Sequence, residues 1–238
     1  MAQTVLHTAD SRGGADHGWL KSYHTFSFAG YYNPERLNFG ALRVLNDDRV
    51  DGGRGFGEHP HDNMEIISIP LEGSLEHKDS IGNVGVIDPG EIQVMSAGTG
   101  IYHAEYNKNK NVPVKFLQIW VFPNKRNVEP RYDQQIIQTA AHPNELVQIL
   151  SPDKNDQGVW IHQDAWFNMG NLEKDHQVVY NFHKKESGVY VFVLEGSVSV
   201  DGQKLATRDG YGIWDTSAIE ITADTDARIL LMEVPMEF

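Results

Sequence analysis

A chain of 238 residues with 20 basic and 33 acidic groups carries a formal charge of −13, which argues against direct nucleic-acid binding and against docking on an acidic membrane surface. The absence of cysteine rules out disulfides and thiolate metal sites, so any metal must be held by His, Asp or Glu. No stretch approaches the roughly 20 apolar residues of a membrane span, and the opening MAQTVLHTADSRGG has no apolar signal-peptide core, so a cytoplasmic protein is expected.

Short apolar or alternating runs, each closed by Gly, Pro, Asn or Asp, recur along the chain in the pattern of a sandwich or barrel. In chain order, the alternating stretch Tyr23–Phe28 takes His24 into a strand as a satisfied structural histidine. Further strands are expected over 40–46, 64–73, 91–98 and 115–123. In the last of these the apolar residues alternate, as a half-buried strand requires. The segment 124–142, polar and broken by Pro130, reads as a linker, and 143–150 is open between strand and helix. Strands return over 189–196, 197–203 and 227–235.

The chain also repeats itself. Leu71-Glu-Gly-Ser-Leu75 matches Leu194-Glu-Gly-Ser-Val198, Asp88-Pro-Gly90 parallels Arg208-Asp-Gly210, and Ile119–Pro123 parallels Leu231–Pro235. Three matches in the same order indicate one β unit used twice. The expected organisation is therefore all-β, two stacked barrels, one over 1–130 and one over 131–238.

The densest chemistry lies in the first unit, in Gly53-Arg-Gly-Phe-Gly-Glu-His59-Pro-His61-Asp-Asn-Met-Glu65. Residues i and i+2 of a strand share a face, so His59 and His61 converge when that face lines a barrel. His103 and Glu105 form a second i, i+2 pair behind the Gly-rich turn at 98–100. Together they offer three nitrogens and one oxygen to a single divalent ion, with positions left for water or substrate. That donor set favours a first-row metal, Fe(II) first, with Cu, Ni, Mn, Co and Zn as alternatives. Glu65, four residues after His61, competes for the carboxylate position or hydrogen-bonds a ligand imidazole. His77 could line the barrel mouth. His7, His17, His142, His162, His176 and His183 have no partner at ligand spacing and read as structural or solvated.

The repeat supplies a control. The offsets that place His59 and His61 before Gly73 place Phe182 and Lys184 before Gly196. The second unit is thus expected to keep the scaffold without the ligands. Phosphate-binding loops and nucleophile elbows are absent.

These residues resemble the two cupin motifs. Gly53, His59, His61 and Glu65 fit the first, although Gly73 closes it one residue late. Gly100, His103 and Asn107 fit the second, with Ser96 where Pro is usual. The segments Tyr23–Phe28, Tyr31–Pro34, Phe39–Asp48, Met95–Gly100 and His103–Asn107 more specifically resemble a bacterial pirin over nearly the whole chain. That resemblance implies a bicupin with iron only in the N-terminal barrel, bound through His59, His61, His103 and Glu105. It further implies a dioxygenase that opens quercetin or a similar planar phenol with O2 as co-substrate. Glu105 would be both ligand and acceptor of the flavonol proton. A regulatory protein acting on a protein partner without turnover is the alternative the family also suggests, and a cupin isomerase or sugar-binding module is a third reading.

Overall fold

Residues 2–238 are described by a computed structural model, in which the alternating runs become strands. The first half forms β1 (Gln3–His7), β2 (Gly13–Asp16), β3 (Leu20–His24), β4 (Leu42–Val50), β5 (Gly55–His61), β6 (Glu65–Glu72), β7 (Leu75–Asp79), β8 (Val84–Ile87), β9 (Glu91–Ser96), β10 (Ile101–Asn107), β11 (Val114–Val121) and β12 (Arg131–Ile136). The second half forms β13 (Leu146–Ser151), β14 (Val159–Trp160), β15 (Trp166–Leu172), β16 (Gln177–Asn181), β17 (Ser187–Glu195), β18 (Ser197–Val200), β19 (Gln203–Ala206), β20 (Gly210–Trp214), β21 (Ala218–Ala223) and β22 (Ala227–Pro235). The open stretch at 143–150 resolves as strand β13, as its β-branched residues favour. No helix among the described residues is long and apolar enough to cross a membrane.

The strands make two barrels with matching sheets. A seven-stranded sheet ordered β12-β9-β6-β11-β4-β3-β2 faces the four-stranded β5-β10-β7-β8, and β1-β20-β17-β22-β15-β13-β14 faces β16-β21-β18-β19. The internal repeat is therefore structural. Its conserved Leu-Glu-Gly-Ser turn joins β6 to β7 and β17 to β18, with Gly73 and Gly196 at φ +70° and +75°. A Cβ at Gly73 would stand 2.8 Å from the Pro113 carbonyl oxygen, and one at Gly196 would stand 2.1 Å from that of Asp226, so both positions need glycine.

The sheets do not divide at residue 130. β12, inside the expected linker, completes the N-terminal sheet beside β9, while β1 crosses to the C-terminal sheet beside β20. Each barrel thus takes one edge strand from across the chain, which covers edges that would otherwise stay open.

The two large sheets pack face to face. Leu45, Ile67, Ile69, Leu117 and Ile119 from one meet Phe167, Tyr190, Phe192, Leu230 and Met232 from the other. Each such side chain contributes roughly 1.5–3 kcal/mol by leaving water, enough collectively to hold the barrels as one body. The interiors differ. The C-terminal barrel is filled by Val189, Val191, Val193, Val198, Ile219, Ile221 and Leu231, whereas the N-terminal barrel keeps apolar clusters only toward its ends.

Candidate metal centre

Between those ends the N-terminal interior is polar. Gln93, Ser68, Gln118, Asn46 and His24 occupy one register row across β9, β6, β11, β4 and β3. From the opposing sheet, β5 and β10 are antiparallel partners with His59 opposite His103 and His61 opposite Ile101. On β10 the alternation buries Ile101, His103, Glu105 and Asn107 and exposes Tyr102 and Tyr106. Both i, i+2 pairs therefore point inward, as their spacing predicted.

Three imidazoles meet. His59, His61 and His103 offer ligand atoms that all lie within 4.8 Å of one another. The ring centroids of His59 and His103 are 4.4 Å apart, and each is 4.9 Å from that of His61. His59 Nδ1 donates to the Gly57 carbonyl oxygen at 2.7 Å, which leaves its Nε2 as the available nitrogen. His103 Nε2 is buried without a hydrogen-bond partner among the described residues. Burial, with a smaller contribution from His59, lowers the pKa of His61 to about 4. Burial and then the neighbouring His59, His61 and His77 lower that of His103 to about 2. Neutral imidazoles with free lone pairs are what a divalent cation requires, so the residues present fit a metal ion.

Glu105 shares a second grouping, with His103 and His77, rather than the three-histidine one. A bulge in the β5–β10 pairing between His103 and Glu105 sets Glu105 opposite Phe56. Its carboxyl accepts from Ser68 Oγ at 3.0 Å and Gln118 Nε2 at 2.7 Å. Full burial raises its pKa to about 7 against those hydrogen bonds. A bound cation would pull it down again. Asp48, hydrogen-bonded to Ser22 Oγ, is a second buried carboxyl raised to about 7, first by burial and also by Asp47 and Glu105.

Glu65 is not in the site. Its side chain accepts from Ser96 Oγ at 2.6 Å, and none of its hydrogen bonds among the described residues reaches His59, His61 or His103. The alternation on β6 turns Ile66 and Ser68 into the barrel and Ile67 and Ile69 into the inter-barrel core, so Glu65 shares their outer face. Counting parity from His61 to Glu65 fails because Asp62–Met64 form a turn, with Asn63 at φ 46°.

Two histidines also differ from expectation. His24 is buried with its Nδ1 unpartnered, 5.3 Å edge-on to Phe28, so it is not a satisfied structural residue. His77, instead of lining the mouth, is fully buried, tilted against the Tyr132 ring with centroids 4.8 Å apart and in contact with His103. Its sequence signal was the i, i+2 pair His77 and Asp79 on β7. Ser68, Gln118 and Asp48 carried no such signal.

The control needs a shifted register. The strand beside β21 is β16, whose inward residues Val178 and Tyr180 face Ile221 and Ile219. Phe182 and Lys184 lie beyond its end, because the turn at 182–186 is longer than the one at 62–64. Apolar residues and a tyrosine stand where the N-terminal barrel has its imidazoles.

A barrel of two sheets that gathers histidines from a His-x-His strand and its neighbour is a cupin, and two such barrels in one chain make a bicupin, here with the histidine groupings found among the described residues all in the first barrel. The sequence profile of the pirins matches residues 5–121, and that of the quercetinase C-terminal cupin domain matches residues 148–234. A quercetin 2,3-dioxygenase of Escherichia coli strain K12 is 46% identical over 230 residues, covering 97% of this chain and 98% of that protein. A pirin-like protein of Caulobacter vibrioides is 40% identical over 94% of this chain and 96% of its own length. The crystal structure of the bacterial pirin YhhW from Escherichia coli in complex with nickel(II) superposes with a TM-score of 0.92 at 44% identity, covering 98% of this chain and 99% of that one. The chain belongs to the pirin family.

Proposed function

We propose that this protein is a metal-dependent dioxygenase that cleaves quercetin or a similar flavonol with O2, its ion held in the N-terminal barrel by His59, His61, His103 and Glu105. The observation that carries this reading is the convergence of three imidazoles with the buried, unpartnered Nε2 of His103 among them. Similarity to a nickel(II)-bound pirin and to proteins named quercetin 2,3-dioxygenase supports it. Iron is the ion we assign, because a mixed imidazole–carboxylate set with open positions suits Fe(II). When bound, such an ion supplies the activation of O2.

The chain's own residues supply the rest. Trp120 stands edge-on to His61 at 5.0 Å and Phe28 edge-on to Trp120 at 5.3 Å, an apolar wall suited to a flat ring system. His24 Nδ1, Asn46 Oδ1 and both polar atoms of Gln93 are buried without protein partners, which suits a ligand rich in hydroxyl and carbonyl groups. Glu105, held by Ser68 and Gln118, is placed to accept the flavonol hydroxyl proton at its carboxylate. We place the activity in the cytoplasm, in keeping with a chain free of cysteine.

The test is metal analysis of protein purified without added metal, alongside O2 uptake with a panel of phenols. Uptake with quercetin in proportion to metal content is expected. Metal-loaded protein that consumes no O2 with any phenol would overturn the reading in favour of a regulator working through a protein partner.

A further inference from the structure

Asp79, His77 and His103 form a chain across the buried side of the histidine cluster. Asp79 Oδ1 accepts from the main-chain N–H groups of Ile81 at 3.1 Å and Asn83 at 2.9 Å. Its Oδ2 accepts from Asn83 Nδ2 at 2.9 Å and faces His77 Nε2 at 3.1 Å. His77 Nδ1 in turn faces His103 Nδ1 at 3.5 Å.

Proton positions follow by elimination. A carboxylate surrounded by donors only accepts, so the His77 proton sits on Nε2. His103 Nε2 is buried with no protein group to accept from it, so the ring's N–H is satisfied on Nδ1, where His77 Nδ1 can accept. At 3.5 Å the contact to His103 is a weak hydrogen bond, but the alternatives set two lone pairs or two N–H dipoles head to head. The proton of His103 therefore belongs on Nδ1, which leaves Nε2 bare.

We propose that Asp79 and His77 are positioning residues that hold His103 in its Nδ1–H tautomer and turn its Nε2 lone pair toward His59 and His61. This rests on the reading that His103 holds the metal ion. His59 is set by a different device, its hydrogen bond to Gly57, so at least two of the three imidazoles are preset before any ion arrives.

Asp79→Asn is the discriminating variant. Its amide oxygen can keep both main-chain N–H groups, which turns the NH2 toward His77 and should drive that proton to Nδ1 and the His103 proton to Nε2. The first measurement is the histidine tautomers of the metal-stripped full chain, read from 15N–1H long-range correlation spectra. Wild type should show His77 as Nε2–H and His103 as Nδ1–H, both inverted in Asp79→Asn. The second is Ni(II) affinity, expected to fall about 10- to 100-fold in Asp79→Asn. His77→Gln, whose amide oxygen can accept from His103, should stay nearer wild type than His77→Phe. A wild-type His103 protonated on Nε2 would overturn the proposal. So would unchanged tautomers in Asp79→Asn, or equal losses of affinity in His77→Gln and His77→Phe. If wild type bound no Ni(II), the metal reading would fall by itself, while the tautomer spectra would still decide the relay.

Discussion

Replacing Glu65 by Gln tests both where that side chain lies and what its burial costs. The carboxyl is almost fully buried between the barrels, and its pKa rises to about 7 because burial outweighs the Ser96 hydrogen bond and the nearby Arg131 guanidinium. Unfolded, the group ionises near its ordinary 4.5, so between that pH and about 7 the folded chain binds the extra proton. Stability must then fall as pH rises through this window, because folding favours the protonated form. The full gap corresponds to about 3 kcal/mol, of which about 2–3 kcal/mol should appear between pH 5 and pH 8. Glutamine keeps an acceptor for Ser96 and has no charge to bury. Asp48 and Glu105 titrate alike in both proteins and cancel in the difference. Urea unfolding of metal-stripped wild type and Glu65→Gln at pH 5 and pH 8 gives the comparison. The variant should gain on wild type by about 2–3 kcal/mol at the higher pH, with metal stoichiometry unchanged. A stability difference that does not vary with pH, or a loss of bound metal, would refute the reasoning.

Glu105→Gln should retain the ion through three imidazoles yet lose at least about 100-fold in quercetin-dependent O2 uptake, because the proton acceptor is gone; near-normal turnover would identify another base. The His59→Ala/His61→Ala double variant should take metal content from one per chain to none by elemental analysis, and full retention would displace the site. Gly196→Ala should cost about 2 kcal/mol or more in urea unfolding, since a positive φ combines there with a backbone clash. Gly202→Ala, at φ +84° with open space around the added carbon, should cost only about 1 kcal/mol.

The sequence by itself determined the barrel architecture and the four inward residues of the candidate site, because a strand's two-residue period decides which side chains share a face. His59, His61, His103 and Glu105 could be read without knowing what lay opposite. The same period could not say what each face meets. In β11, Gln118 marks the polar barrel interior and not solvent, while in β17 both faces are apolar because Tyr190 and Phe192 meet the other barrel as Val191 and Val193 fill their own. Glu65 left the site because a turn reset the parity. The exchange of β1 and β12 between barrels was equally illegible, since edge pairing is set by where a distant sheet ends. His77 became a neighbour of His103 only when β7 paired with β10. Periodicity is local to one strand, whereas sheet order, register and the contents of a barrel come from long-range pairing, which no single segment encodes.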